Sequence, residues 1–358
     1  MKMMKAAVLH APGDLRVEQA PMPVPGPGDA LVRVTACGVC GSDIPRVCTT
    51  GTYHFPTIPG HEMAGVIEQI VPAKDADPGV PAAPGLAVGD AVSVVPLVPC
   101  HRCRFCEIGQ FAQCERYDFM GSRCDGGFAQ YLKAPLSNLV RLPPGTTGEE
   151  GALLEPIAVA LHAVRNLGLA GGESVAVFGL GAIGNFVAQW GSAFGASRVF
   201  GIDVSPAKAG IARAVGLPDS IDASGVDVVK LLRESTGGAG VDLAFDASGS
   251  PSAINQAIAA LRAFGRLGLL GRPTEGVTIE GSSFEKILRG ELTMRGTWSF
   301  QIASFPRHAW TESAEALARG AIKTGPLITH RVSLEELPAA IRMMAAGKEF
   351  FHKVMVLP

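Results

Sequence analysis

The apolar run Ser174-Val175-Ala176-Val177-Phe178 leads directly into Gly179-Leu180-Gly181-Ala182-Ile183-Gly184, and this junction limits the possible folds more than any other feature of the chain. The run predicts a buried strand, the glycines a tight turn, and the residues beyond it a helix. In such a unit the first glycine permits the turn, the second lets backbone approach a pyrophosphate at a helix N-terminus, and the third allows helix and strand to pack closely. Further strand-like runs at Val199–Ile202, Leu243–Phe245 and Arg266–Leu270 alternate with helical spacing to about Gly296, which predicts a doubly wound parallel sheet. Asp203 ends the first of these runs, where a carboxylate accepts hydrogen bonds from the adenosine ribose hydroxyls. Val204 follows it in place of an arginine, so the pattern predicts NAD over NADP. The cofactor-binding candidates are Gly179, Leu180, Gly181, Ala182, Ile183, Gly184 and Asp203.

At 358 residues the chain exceeds what one core usually organises, so two domains are expected. From Met1 to about Glu155 it is rich in Gly and Pro with short runs such as Ala30–Thr35 and Ala91–Val95, the texture of an irregular β domain. Ile157–Leu167 has helical apolar spacing. The tail from about Phe300 holds a helix-like stretch, Thr311–Arg319, and a strand-like one, Lys353–Leu357, that returns to the first domain. The Pro-rich segment Val71–Val88 reads as an exposed loop. The charged fraction is 18% with a net charge of -2 and no basic run, so neither nucleic acid nor membrane is expected as a partner, and a small molecule is. No stretch has the length of a membrane span, and MKMMKAAVLHAPGD lacks the apolar core of a secretory signal, so the expected location is the cytoplasm.

In that setting the eight cysteines predict metal binding, not disulfides. Cys100-x-x-Cys103-x-x-Cys106-x7-Cys114 supplies four thiolates, enough to close a tetrahedral structural zinc site with no position left for substrate. An iron–sulfur cluster fits less well, since the fourth Cys is distant and no Cys-Pro follows. A catalytic zinc keeps one position open and needs three protein ligands. Cys40, His61 and one carboxylate, Glu62 or Glu155, supply that set, with Asp43 placed to hold the other ring nitrogen of His61. Cys37, Cys48 and Cys124 read as packing or surface thiols.

The motifs CGVCGSD, GHExxG, CxxCxxCx7C, GxGxxG and Glu155-Pro156 together resemble the zinc-containing medium-chain alcohol and polyol dehydrogenases over nearly the whole chain. The resemblance implies an α/β chain with a GroES-like β-rich catalytic domain (1–156 and 300–358, structural zinc lobe 96–118) and a Rossmann coenzyme domain (157–299). It implies two zinc ions: a catalytic one on Cys40, His61 and either Glu62 or Glu155, and a structural one on Cys100, Cys103, Cys106 and Cys114. Ser42 takes the position that starts a proton relay, and His54 is a candidate for its end. Glu155-Pro156 stands where simple alcohol dehydrogenases carry Cys, which favours a hydrophilic substrate.

Within the family, Ser42–Arg46, Tyr117–Arg123, Asp125–Ala129 and Phe284–Arg289 are most similar to the galactitol-1-phosphate 5-dehydrogenase and sorbitol dehydrogenase branch. The implied reaction moves hydride from a secondary hydroxyl of a polyol or polyol phosphate to NAD, with Arg46, Arg123, Lys286 and Arg289 as candidates for a substrate phosphate. A threonine-type amino-alcohol or a secondary alcohol or diol dehydrogenase would use the same zinc and cofactor. A non-catalytic NAD-binding redox sensor is the reading outside enzymes. A homodimer or homotetramer is implied. Two departures stand out: Val71, where the family usually has a small residue, and the length of the loop to Val88.

Overall fold

The chain's β-branched and alanine-rich runs pair into two separate sheets, one in each of two compact units. The computed structural model describes residues 2–73, 85–303 and 307–358. The first unit comprises Met1–Glu155, Gln301–Ala318 and Ile328–Pro358; the second comprises Pro156–Phe300 and Arg319–Leu327. Residues 319–327 therefore part from the rest of the tail, which was expected to lie wholly in the first domain. The reason is local: Gln189 grips Lys323 twice, its side-chain carbonyl accepting from Lys323 N at 2.7 Å and its amide donating to Lys323 O at 3.1 Å.

In the first unit a sheet runs in the order Ile328–Val332, Lys353–Val356, Asp29–Val39, Glu62–Ile70, Ala91–Val94, Leu139–Arg141, with Tyr131–Pro135 also paired to Asp29–Val39. Its core holds Val32, Val34, Met63, Ile67, Val92, Phe128, Leu132 and Val354, all buried. Register draws the ends of three strands together. Gly38 pairs with Glu62, and Val354 pairs with Val39, so the residues flanking these pairs converge at one end of the sheet. The flanks of the expected loop, Val71–Ala73 and 85–90, carry no strand or helix, and its central residues, 74–84, lie outside the described residues.

The second unit's strands are β1 (Ser174–Phe178), β2 (Arg198–Asp203), β3 (Ser220–Asp222), β4 (Val241–Asp246), β5 (Leu261–Leu269) and β6 (Thr293–Gly296). They form one parallel sheet ordered β3-β2-β1-β4-β5-β6. That order places the topological switch point beside β1, where open α/β sheets bind ligands. Strands buried on both faces explain the unbroken apolar runs: Phe178, Phe200, Ala244 and Leu267 all lie in the unit's core. No helix among the described residues is long and apolar enough to cross a membrane.

Candidate metal centres and coenzyme turn

Sheet register assembles the first cluster. Cys40 follows the strand Asp29–Val39, while His61 immediately precedes and Glu62 begins the strand paired to it, and Lys353 opens the strand on the other side. Among the described residues, the Cys40 sulfur, a ring nitrogen of His61 and a Glu62 oxygen lie within 4.8 Å of one another. His61, Glu62 and Glu155 are buried, and Asp43 is fully so. Asp43 Oδ2 accepts from Cys40 N at 3.0 Å, and its Oδ1 lies 3.3 Å from His61 Nδ1, close enough to orient the ring though poorly aligned for a hydrogen bond. Arg46 Nη1 donates to Ser42 Oγ at 3.1 Å and sits 3.4 Å from Asp43 Oδ1. Phe119 closes one side, its ring centroid 5.7 Å from that of His61.

The electrostatics favour a cation. Burial opposes a charge on His61, yet Asp43 and Cys40 outweigh it and hold the proton well above the usual histidine range. A divalent ion placed among these groups would take the same attraction and displace that proton. Burial pushes the Glu155 carboxyl up to about 7, with Glu62 and Asp43 adding to the effect while His61 and Lys353 oppose it. Sulfur, imidazole and carboxylate donors in one buried cluster suit zinc. Sequence reasoning missed two parts of this cluster, the Phe119 ring and Lys353. Lys353 Nζ donates to Glu62 Oε1 and Oε2, both at 2.7 Å, and to Val39 O at 3.2 Å. Gly38 makes room for the pair: a Cβ there would sit 2.0 Å from Glu62 Oε2.

The second cluster is Cys100, Cys103, Cys106 and Cys114, held by short turns between Pro99 and Glu115. Cys103 Sγ lies 3.5 Å from Cys106 Sγ and 3.9 Å from Cys114 Sγ. Those separations are far too long for disulfides and match the edge of a zinc tetrahedron, about 3.8 Å for zinc–sulfur bonds near 2.3 Å. Backbone amides, that of Glu115 foremost, pull Cys103 down to about 6, while burial pushes Cys106 up to about 12. A metal would collect all four as thiolates.

In the second unit the glycines divide the labour that their spacing predicts. Gly179 sits at φ +92°, and a Cβ on Gly184 would fall 1.8 Å from Gly179 O, so helix and turn touch backbone to backbone. Gly181 caps the helix Ala182–Ala193, and a Cβ there would meet nothing within 4 Å. That open space above a helix N-terminus fits a pyrophosphate. Asp203 is buried at the end of β2; Leu180 N donates to its Oδ2 at 2.8 Å and Ser205 N to its Oδ1 at 2.9 Å. Each oxygen keeps a lone pair for a ribose hydroxyl.

The remaining candidates scatter. His54 lies with Nε2 3.1 Å from Arg123 O and Nδ1 3.2 Å from Pro56 O, with no bond to Ser42. The Arg123 guanidinium stacks on Tyr53 and Tyr117, 3.9 and 4.5 Å from their ring centroids. Arg289 is exposed and paired with Glu285, and Lys286 shares that helix, Gly281–Arg289. Only Arg46 touches the cluster. A mostly apolar cavity of about 440 Å³ in the first unit, lined by Leu86, Val95, Phe111, Leu139 and Ile302, contains none of the candidate ligands.

Residues 26–144 match the family model for the alcohol dehydrogenase GroES-like domain, and residues 182–319 that for the zinc-binding dehydrogenase. The chain is 32% identical over 359 residues to galactitol 1-phosphate 5-dehydrogenase of Escherichia coli K12, covering 99% of this chain and 100% of that one. It is 31% identical to sorbitol dehydrogenase of Bacillus subtilis 168, covering 99% and 97%. A solved structure from Sinorhizobium meliloti 1021, described only as a zinc-binding dehydrogenase bound to NADP, superposes with a TM-score of 0.89 at 30% identity and covers 100% of both chains.

Proposed function

Because the chain belongs to the zinc-dependent medium-chain alcohol and polyol dehydrogenases, we propose that it oxidises a secondary hydroxyl of a polyol or polyol phosphate to the ketose, with NAD as hydride acceptor. The observation that carries the reading is the cluster of Cys40, His61 and Glu62, its imidazole and carboxylate buried, close in sequence to Ser42. Cys40, His61 and a carboxylate would hold a zinc ion that supplies Lewis acidity to the substrate hydroxyl. Cys100, Cys103, Cys106 and Cys114 would hold a second, which fixes their lobe.

The protein's own groups do the rest. Asp43 fixes the His61 ring, so the nitrogen facing Cys40 and Glu62 keeps its lone pair inward. Ser42 Oγ, which is partly exposed, accepts the hydroxyl proton as it releases its own to solvent, and Arg46 holds the Ser42 rotamer through its 3.1 Å bond. Phe119 covers His61 and keeps water from that face. The turn Gly179–Gly184 binds the pyrophosphate, and Asp203 accepts from the ribose and repels a 2′-phosphate, which favours NAD. NADP is the competing cofactor, since Lys208 Nζ lies 3.9 Å from Asp203 Oδ2 and a neighbour of the same fold is described with NADP. The proposed setting is the cytoplasm, as a homodimer or homotetramer.

The test is reduced-cofactor formation by zinc-replete protein on hexitols, pentitols, their phosphates, 2,3-butanediol and threonine, with NAD and NADP in parallel. Turnover of polyols or their phosphates with NAD is expected. Turnover of threonine or butanediol in preference would replace the substrate class while keeping the dehydrogenase.

A further inference from the structure

The Arg123 guanidinium lies over two rings, Tyr53 and Tyr117, which cover faces that carry no hydrogen-bond donors. Its N–H groups point outward in its own plane. Among the described residues they have no acceptor and no carboxylate partner, and Nε is buried from water as well. A buried N–H of a charged group without an acceptor is costly, so an acceptor belongs there, and the planar fork of Nε–H and Nη–H matches two oxygens of a phosphate. The other candidate cations lack this combination. Arg46 is committed to Ser42 and the fully buried Asp43, Arg289 is paired with Glu285, and Lys286 offers a point charge with no fork. Arg123 also stands beside the metal cluster. Its backbone N donates to Phe119 O at 2.8 Å, and the Phe119 ring covers His61. In the same turn, a Cβ on Gly121 would fall 2.5 Å from the carbonyl oxygen of Gly60, the residue before His61. Tyr53 N holds the turn from another side, donating to Ser122 O at 3.3 Å. The turn 119–123 therefore borders the cluster of Cys40, His61 and Glu62, with Arg123 at its end.

We infer that Arg123, flanked by Tyr53 and Tyr117, binds the phosphate of the substrate and makes the protein select a polyol phosphate over the free polyol. This rests on the polyol dehydrogenase reading above. A pentitol or hexitol phosphate carries its phosphate several bonds from an internal secondary hydroxyl, so one molecule reaches both the cluster and the end of the adjoining turn. The two rings hold the fork in place before the phosphate arrives, which reduces the freedom lost on binding.

The experiment compares kcat/KM for hexitol and pentitol phosphates with kcat/KM for the same polyols without phosphate, in zinc-replete wild type, Arg123→Gln, Arg123→Lys and Tyr53→Leu. The wild type is expected to prefer the phosphate at least about tenfold. Arg123→Gln should cut that ratio about 10- to 150-fold, the worth of a charge-assisted pair, chiefly by raising KM for the phosphate. Arg123→Lys, which keeps the charge without the fork, should cut it by less. A residue that only braced the turn would slow both substrates alike, so an unchanged ratio in Arg123→Gln overturns the inference. Wild-type turnover of free polyols as efficient as that of their phosphates also overturns it and leaves the dehydrogenase standing. Should Arg123→Gln not fold, Tyr53→Leu decides, because Tyr53 is 67% exposed and loss of its ring should lower the same ratio about 2- to 5-fold, whereas no change counts against the site. Absence of turnover on every polyol and polyol phosphate sinks the polyol reading and this inference with it.

Discussion

Adding one methyl group at Gly181 or at Gly184 separates a glycine kept for the ligand from one kept for the fold. At Gly184 the methyl would lie 1.8 Å from Gly179 O, while an ordinary carbon–oxygen contact is about 3.2 Å, so helix and turn must part by about 1.4 Å. Both partners are backbone, so no side chain can yield. Overpacking costs about 1–3 kcal/mol, and the displaced turn also strains the bond from Leu180 N to Asp203, about 1.5 kcal/mol more. The sum, roughly 2.5–4.5 kcal/mol, lowers Tm by about 5–18 °C for a unit of this size. At Gly181 the backbone is at φ -64°, which alanine accepts, and the methyl meets nothing. A weaker N-cap and a stiffer unfolded chain nearly cancel there, leaving stability within about 0.5 kcal/mol. The methyl instead occupies the space of the pyrophosphate, and losing one charge-assisted bond raises Kd for NADH about 10- to 150-fold. Thermal melts without cofactor and fluorescence titration with NADH read the two effects separately. A Gly184→Ala protein as stable as wild type, or a Gly181→Ala protein that binds NADH within threefold of it, would refute the division.

Three further outcomes are expected from the same geometry. Asp203→Ser removes the carboxylate that repels a 2′-phosphate, so the ratio of kcat/KM for NAD over NADP should fall at least tenfold; an unchanged ratio would place discrimination elsewhere. Cys103→Ser should release one zinc and expose the lobe to proteolysis between Pro99 and Glu115, and retention of two zinc ions by mass spectrometry would argue against a four-thiolate site. Because Glu155 titrates at about 7 and His61 above its usual range, protons compete with metal as pH falls. Apparent zinc affinity of that site should drop at least about tenfold per unit below pH 7, and a flat profile from pH 7.5 to 6 in a chelator competition would contradict it.

How much of the molecule was legible depends on whether a residue's role is set by local spacing or by register. The glycines of the coenzyme turn and the four clustered thiols are local: a few intervening residues fix their geometry, and the structure brings them together as their spacing predicts. The central strands were also visible, because apolar stretches such as Val175–Phe178 and Leu243–Phe245 are unbroken. Lys353 was not. In Lys-Val-Met-Val a lysine opening a strand reads as a solvated end, and only the pairing of Val354 with Val39 turns it inward onto Glu62. The environment of Glu62 was hidden for the same reason, since the ammonium it pairs with lies 291 positions away. Charge alone also failed to point: Arg289 pairs with its own helix neighbour while Arg46 reaches into the cluster.

The two metal clusters differ in when they can exist during synthesis. The four thiols span only Cys100 to Cys114, so their lobe can close as soon as that stretch leaves the ribosome. The other cluster brings together Cys40, His61 and Glu62, and the lysine that pairs with Glu62 arrives only with the strand Lys353–Val356. Until that strand adds beside Asp29–Val39, Glu62 lacks its ammonium partner. The charge balance of this cluster is therefore complete only when one of the last strands of the chain has been added.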